Sequence, residues 1–457
     1  MLVAFVVLYL FSNLAVGWWA SRKVHSTQDF VLAGRTLPMS LAIMVTFATW
    51  FGSETMLGAP MEFVKHGVLG VIEEPFGAAL SLILVGTFYA KKLYPLEVLT
   101  FSDFFRQRFG VFSERLSALI MVPSYFGWIA AQLVALGLTL HLLLPISKEI
   151  GIVIGAMIVM TYTLLGGMWS VTVTDFFHNI LLILGLFFLF YLLSRQIPDW
   201  QLFIDQQPKD FFRFTPKTNH WTHWLNYLGA WMTIGLGSIP GQDIFQRVMA
   251  AKNVRIAKRA SIYAGIMYLT IAMLPLMISL MAVRLYPSLL QSGSLLIPNL
   301  VMQFTPYAMQ VLFLGALLSA LLSTTSGAIL APSSVLGENI IKPLLKNAND
   351  KAVLRIIRLS VVLVTVACVF LAISRQNIFE LVGEASAFSL VSLFIPLNAG
   401  LFWKKSKPLG SHLSMTFGLI VWIYFHFFET IEIPAVCLGL LAGVIGLWIG
   451  NLISSQK

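Results

Sequence analysis

Apolar stretches of the length a helix needs to cross a membrane, about 20 residues for a hydrocarbon core about 30 Å thick, recur along the whole chain. They fall near residues 2–20, 38–60, 67–90, 116–145, 150–167, 175–194, 224–245, 260–283, 306–336, 353–373, 378–403, 409–428 and 433–453. Inside lipid every backbone N–H and C=O must find its partner within the protein, so a chain of this pattern folds as an all-α bundle. Composition agrees: 58% of the 457 residues are hydrophobic and 11% charged, where a soluble domain carries about 45–50% and about 25%. A soluble globule is excluded, and one polytopic membrane domain over 1–457 with about 13 transmembrane helices is expected. The first stretch has no charge before Arg22 and no small-residue cleavage pattern, so it is expected to remain as a helix. Cys368 and Cys437 both lie in apolar stretches and imply neither a disulfide framework nor a metal site.

The formal charge of +10 is explained by topology. With the N-terminus outside and the loops taken alternately, 22 of the 30 Lys and Arg fall on the inner side, among them Arg22, Lys23, Arg106, Arg247, Lys346, Lys404 and Lys457. Cytoplasmic loops are enriched in these residues, so the C-terminus is expected inside, in a cytoplasmic (inner) or plasma membrane. A nucleic-acid partner would need clustered basic residues with interleaved aromatics in a soluble module, and the sequence has no such module. The partner to expect is the lipid bilayer. The longest outer loop, about 195–223, carries Trp200, Phe211, Phe212 and Trp221 and suits either a membrane surface or the cover of a vestibule.

Two spans depart from plain Leu/Ile/Val/Phe runs. The second combines Gly52, Gly58 and Pro60 with an intramembrane acid, Glu54; the seventh holds Gly235, Gly237, Pro240 and Gly241 just before Asp243. They stand five spans apart. Gly/Pro-interrupted spans at matching places in two halves point to an inverted-repeat transporter, in which unwound backbone serves ligands near the midplane. The second and seventh spans are therefore expected to be broken helices of a five-plus-five inverted repeat, with 38–194 and 224–403 as the two repeats, 1–37 as an extra helix and loop, and 404–457 as two accessory helices. The ninth span carries Ser319, Ser323 and Ser326 at helical spacing beside Thr324 and Thr325. Such hydroxyls serve as helix-packing glue or as hard oxygen ligands for a small cation.

Several ordered motifs then resemble one family. Asp29-Phe-Val-Leu-Ala-Gly-Arg-Thr-Leu-Pro38, Tyr162-Thr-Leu-Leu-Gly-Gly-Met-Trp-Ser-Val-Thr-Val-Thr-Asp175, Ile239-Pro-Gly-Gln-Asp-Ile-Phe-Gln-Arg247 and the Ser323-Thr324 segment are similar to those of the sodium/solute symporter family, which includes the proline, sodium/glucose and choline carriers. The resemblance implies a sodium-coupled symporter that imports a small organic solute by alternating access. It also implies a coupling sodium held by the carbonyls of Ala48, Phe51 and Ala320 and the hydroxyls of Ser323 and Thr324. Asp175 resembles an acid that the family places near the sodium exit path; as a residue in its own right it would equally serve as a helix N-cap. Several relatives have Asp where this chain has Ser326, which leaves the number of sodium ions open.

Within the family, Ala48-Thr-Trp-Phe-Gly52 resembles the choline-carrier branch, and Trp128 falls where that branch places a second cage tryptophan. Aromatic faces attract quaternary ammonium groups by about 2 kcal/mol or more when desolvated. Where a third tryptophan is expected, this chain has Gly241. A carboxylate at helix centre costs about 2.5–3.5 kcal/mol on insertion scales and usually faces a cavity, so Glu54, with Glu73 and Glu74 nearer the interface, carries weight of its own. Trp50, Glu54, Glu73, Trp128 and Gln242 are expected to line the substrate cavity, with a positively charged solute; packing and helix-to-helix hydrogen bonds are the competing roles for these side chains. The same class also carries neutral or anionic solutes such as amino acids, sugars and carboxylates. A channel would need a continuous polar pore. An enzyme would need a catalytic constellation, and neither HExxH nor GxSxG occurs. No enzyme is expected, and no cofactor beyond sodium as the coupling ion.

Overall fold

The computed structural model describes residues 2–218, 220–345, 349–429 and 431–455; Lys346 and Lys457 lie outside them. Among the described residues the chain is helical, with no strand and one isolated parallel bridge, Leu37 to Ala251. Among the described residues, nine helical runs are long and apolar enough to cross a membrane: Val68–Leu96, Val111–Leu143, Lys148–Ser194, Val254–Leu285, Tyr307–Leu344, Asp350–Ser374, Ile378–Phe402, Pro408–Phe427 and Ala435–Ser455. The expected second and seventh spans are not among them because each is in two pieces, and the first, Leu2–Ser21, is not among them either.

The second span runs as Met39–Ala48, loses regular helix over Thr49, Trp50, Phe51 and Gly52, and resumes through a π-turn at Glu54–Gly58 into Ala59–His66. The seventh runs as Trp221–Gly237, breaks over Ser238-Ile-Pro-Gly241, and resumes as Gln242–Ala250. Pro240 cannot supply a helical N–H. Glycine at 52 lets neighbours close in on the first break. A Cβ there would stand 3.0 Å from Gln132 Oε1 and 3.1 Å from Thr324 Cγ2, and that same Gln132 Oε1 accepts the N–H of Ser53 at 3.2 Å.

The fifth and sixth spans are not joined by a loop. Lys148–Ser194 is unbroken except at Gly167, where φ is +49° and ψ −137°. Along a straight helix Tyr162 and Thr174 would be about 18 Å apart, yet their hydroxyls are hydrogen-bonded at 2.5 Å. The chain therefore doubles back at Gly167, and a Cβ there would sit 2.5 Å from the carbonyl oxygen of Phe30. Asp175 lies well inside the helix after this turn and does not cap its N-terminus.

At the end of the bundle that carries most of the basic loops, the two broken helices are stitched together. Leu37 N–H donates to Ala250 O and Lys252 N–H to Leu37 O, both at 3.0 Å. Tyr94 Oη donates to Ala251 O at 2.9 Å. Arg247, counted above as a loop cation, is instead buried in the bundle because the second half of the seventh span carries it inward.

Candidate transport site

Both breaks face one cavity of about 50 Å³. Its walls are Trp50 and Glu54 of the second span, Glu74 of the third, Ser124, Tyr125 and Trp128 of the fourth, Ile234, Gly237, Ser238, Gly241 and Asp243 of the seventh, and Val382, Ala385, Ser386 and Ser389 of the eleventh. Three aromatic rings and three carboxylates meet there, and none of the lining residues is basic. Glu54, Glu74 and Asp243 are all buried. Glu74 Oε1 accepts from Thr55 Oγ1 at 2.7 Å and from the Tyr268 hydroxyl, and Asp243 Oδ1 accepts from the Tyr125 hydroxyl. Glu54 Oε1 and Asp243 Oδ2 are buried with no hydrogen-bond partner. A buried anionic oxygen without a donor is costly, and a cation in the cavity is what would compensate it.

Of the five residues expected to line the cavity, Trp50, Glu54 and Trp128 do. Glu73 does not; its carboxylate points to Gly383, where Oε2 would be 3.3 Å from an added Cβ. Gln242 does not line it either. Its Oε1 accepts the N–H of Phe101 at 2.7 Å, which makes it a brace between the seventh span and the loop before Phe101–Phe109. Glu74, Tyr125 and Asp243 take their places. Asp243 follows the seventh span's break as closely as Glu54 follows the second's, so the same reasoning could have found it. Position 241, where a third tryptophan was expected, leaves no room for one: even a Cβ would come within 2.6 Å of Asp243 Oδ1 and 3.1 Å of the Tyr125 hydroxyl.

The residues expected to hold sodium lie behind this cavity. Thr324 Oγ1 donates to Ala48 O at 3.2 Å, bringing the ninth span onto the first break. Ser323 Oγ is 3.1 Å from Thr174 Oγ1 and 3.4 Å from Val171 O. Ala320 is buried one turn before them, and Phe51 is buried with its ring 4.7 Å from Phe47 and 6.0 Å from Tyr268. Ser326 and Thr325 play the packing role: Ser326 Oγ accepts from Thr163 at 2.7 Å, and Thr325 donates to Leu321 O. Asp175 faces Ser323 and Arg247, and its Oδ1 has no partner. Arg247 Nε donates to Thr49 Oγ1 at 3.0 Å, so a buried guanidinium closes the same break from the basic end.

The sodium:solute symporter family matches residues 30–418. The chain belongs to this family. Sodium-coupled symport is the activity that membership supports. The chain is 27% identical to a high-affinity choline transporter of Drosophila melanogaster over 88% of this symporter and 67% of that one. It is 25% identical to an osmoregulated proline transporter of Bacillus subtilis over 96% and 92%. In fold it is similar to a sodium-coupled sialic acid symporter solved in a substrate-bound, outward-open state, with a TM-score of 0.83, 21% identity, and 99% and 98% of the two chains covered. The expected family, and the all-α transporter fold with its two broken helices, are thereby established; the count of 13 spans is not.

Proposed function

We propose that this symporter uses an inward sodium gradient to import a small organic cation of the quaternary-ammonium class, bound among Trp50, Tyr125 and Trp128 against the carboxylates of Glu54 and Asp243. The observation that carries the reading is the pair of buried, donorless carboxylate oxygens, Glu54 Oε1 and Asp243 Oδ2, in an aromatic cavity whose lining residues include no basic side chain. An anionic solute would meet like charges. A neutral one would leave both oxygens uncompensated, whereas a cation over the aromatic faces gains from both terms. Likeness to choline transporters supports the same class.

The coupling sodium would sit among the carbonyls of Ala48, Phe51 and Ala320 and the hydroxyls of Ser323 and Thr324, with Asp175 beside its way out. The Thr324 to Ala48 contact supports this, since it joins one expected hydroxyl to one expected carbonyl. Residues 38–194 and 224–403 would be the two repeats that move around the site, and the basic end of the bundle would face the cytoplasm.

The test is uptake of labelled choline, betaine, proline, pantothenate and sugars into proteoliposomes with an inward sodium gradient. Sodium-driven accumulation of choline above equilibrium is expected, and it would also exclude a channel. Transport confined to neutral or anionic solutes would overturn the cationic assignment.

A further inference from the structure

Arg247, in the second half of the seventh span, is 3% exposed. A guanidinium taken out of water needs an anion beside it. Among the described residues Arg106, Arg213 and Arg375 stand in ion pairs, and Arg247 stands in none. Neutral atoms hold it instead. Its Nε donates to Thr49 Oγ1 at 3.0 Å, its Nη1 touches Met168 Sδ, and its Nη2 would be 2.6 Å from a Cβ added at Gly327. The Thr49 hydroxyl gives its own proton to Val45 O at 2.8 Å, which leaves it an acceptor for the arginine. Two buried carboxylates, Asp175 and Asp243, act on the guanidinium, and each has one oxygen without a hydrogen-bond partner. Tyr125 fixes Asp243 in the cavity. Asp175 is the anion left for Arg247 to move onto.

We infer that Arg247 gates the cytoplasmic side of the sodium path, its guanidinium and the coupling sodium being alternative cations for Asp175. Position supports this. Thr49 follows Ala48, whose carbonyl meets Thr324, and Gly327 stands about one turn beyond Ser323 and Thr324 on the ninth span. The guanidinium therefore lies between the expected sodium oxygens and the basic end of the bundle. Asp175 borders both, since it faces Ser323 as well as Arg247. With Arg247 on Thr49, as the structure has it, Asp175 is open to sodium. With Arg247 on Asp175, the charge of the acid is already matched and sodium is held less tightly. The space that the guanidinium uses exists because residue 327 has no side chain.

The inference rests on the sodium position proposed above and not on the nature of the solute, so it is tested without one. The measurement is equilibrium binding of radioactive sodium to the purified full chain. Arg247→Gln removes the competing charge and should bind sodium about tenfold more tightly. Structural damage would weaken binding, so a gain separates a gate from a brace. Arg247→Lys keeps the charge and should show no such gain. Thr49→Val takes away the acceptor that holds the guanidinium off Asp175 and should weaken sodium binding, while Thr49→Ser should leave it unaltered. Unchanged or weaker binding in folded Arg247→Gln overturns the inference. If that variant does not fold, the Thr49 pair decides, and equal affinities in its Val and Ser variants overturn the inference as well. Thr324→Ala tells the two readings apart. Unchanged binding there, with the gain in Arg247→Gln intact, counts against the sodium position alone; weakened binding there, with no gain in Arg247→Gln, counts against the gate alone.

Discussion

The phenol of Tyr125 and the carboxylate of Asp243 are joined twice: the hydroxyl donates to Oδ1, and the same phenol oxygen accepts the backbone N–H of Asp243 at 3.1 Å. The fourth span thereby pins the first residues of the seventh span's second half and holds Asp243 Oδ2 in the cavity without a donor. Charge-assisted contacts are worth about 1.5–3 kcal/mol, so Asp243→Asn should raise the half-saturating concentration of a cationic solute by about tenfold or more. Tyr125→Phe keeps the charge and loses its orientation, and should cost less. Concentration-dependent uptake by the two variants checks the order. An Asp243→Asn variant with unchanged affinity would remove the carboxylate from the site.

The two tryptophans can be separated from the carboxylates by the same assay. If Trp50 and Trp128 act through their ring faces, Trp→Phe at either position should weaken binding modestly. Trp→Ala should weaken it by about 2 kcal/mol, or roughly thirtyfold. Equal loss in the Phe and Ala variants would instead mark a packing role, because the tilted contact between Trp128 and Tyr125, with centroids 5.9 Å apart, would be disturbed by either.

What the sequence revealed of this site follows from the range over which each signal acts. Breaks at Thr49–Gly52 and Ser238–Gly241 are local consequences of Gly and Pro, and could be read. So could Glu54, since an acid in an apolar run is conspicuous. Glu73 and Glu74 could not be told apart by spacing, because the chain leaves helical geometry at Glu74, with φ −136° and ψ 113°, and this turns the two side chains to different surroundings. Gln242 has a position beside the break but an amide committed to Phe101, 141 residues away in sequence. Arg247 looked like a loop cation because the seventh span was expected to end near 245, whereas its helix continues to Ala250. The stretch between the fifth and sixth spans looked like a loop, yet it is a reversal at a single glycine.

That reversal gives a prediction about stability. Gly167 combines a positive φ with a position where a Cβ would collide with the carbonyl of Phe30, so Gly167→Ala adds backbone strain of about 1–3 kcal/mol before any clash is relieved. The melting temperature of the detergent-solubilised protein should fall measurably. Gly110→Ala is the control: its φ is also positive, at +92°, but nothing lies within 4 Å of the added atom, so it should cost less. Equal melting temperatures for Gly167→Ala and the unaltered protein would mean that the turn can be made another way.

Coupling to sodium should depend on Thr324 more sharply than on Ser323. Thr324 Oγ1 reaches Ala48 O directly, while Ser323 Oγ shares its environment with Thr174, Val171 and Asp175, where other oxygens can take over part of its role. Thr324→Ala is expected to raise the sodium concentration for half-maximal uptake by about tenfold, the cost of one lost charge-assisted contact, and Ser323→Ala by less. Thr324→Ser keeps the hydroxyl and should stay close to the unaltered protein. Solute affinity at saturating sodium should change little in all three, because neither residue lines the cavity. Sodium titrations of uptake at fixed solute decide the matter. Unchanged sodium dependence in both alanine variants would place the coupling ion elsewhere in the bundle.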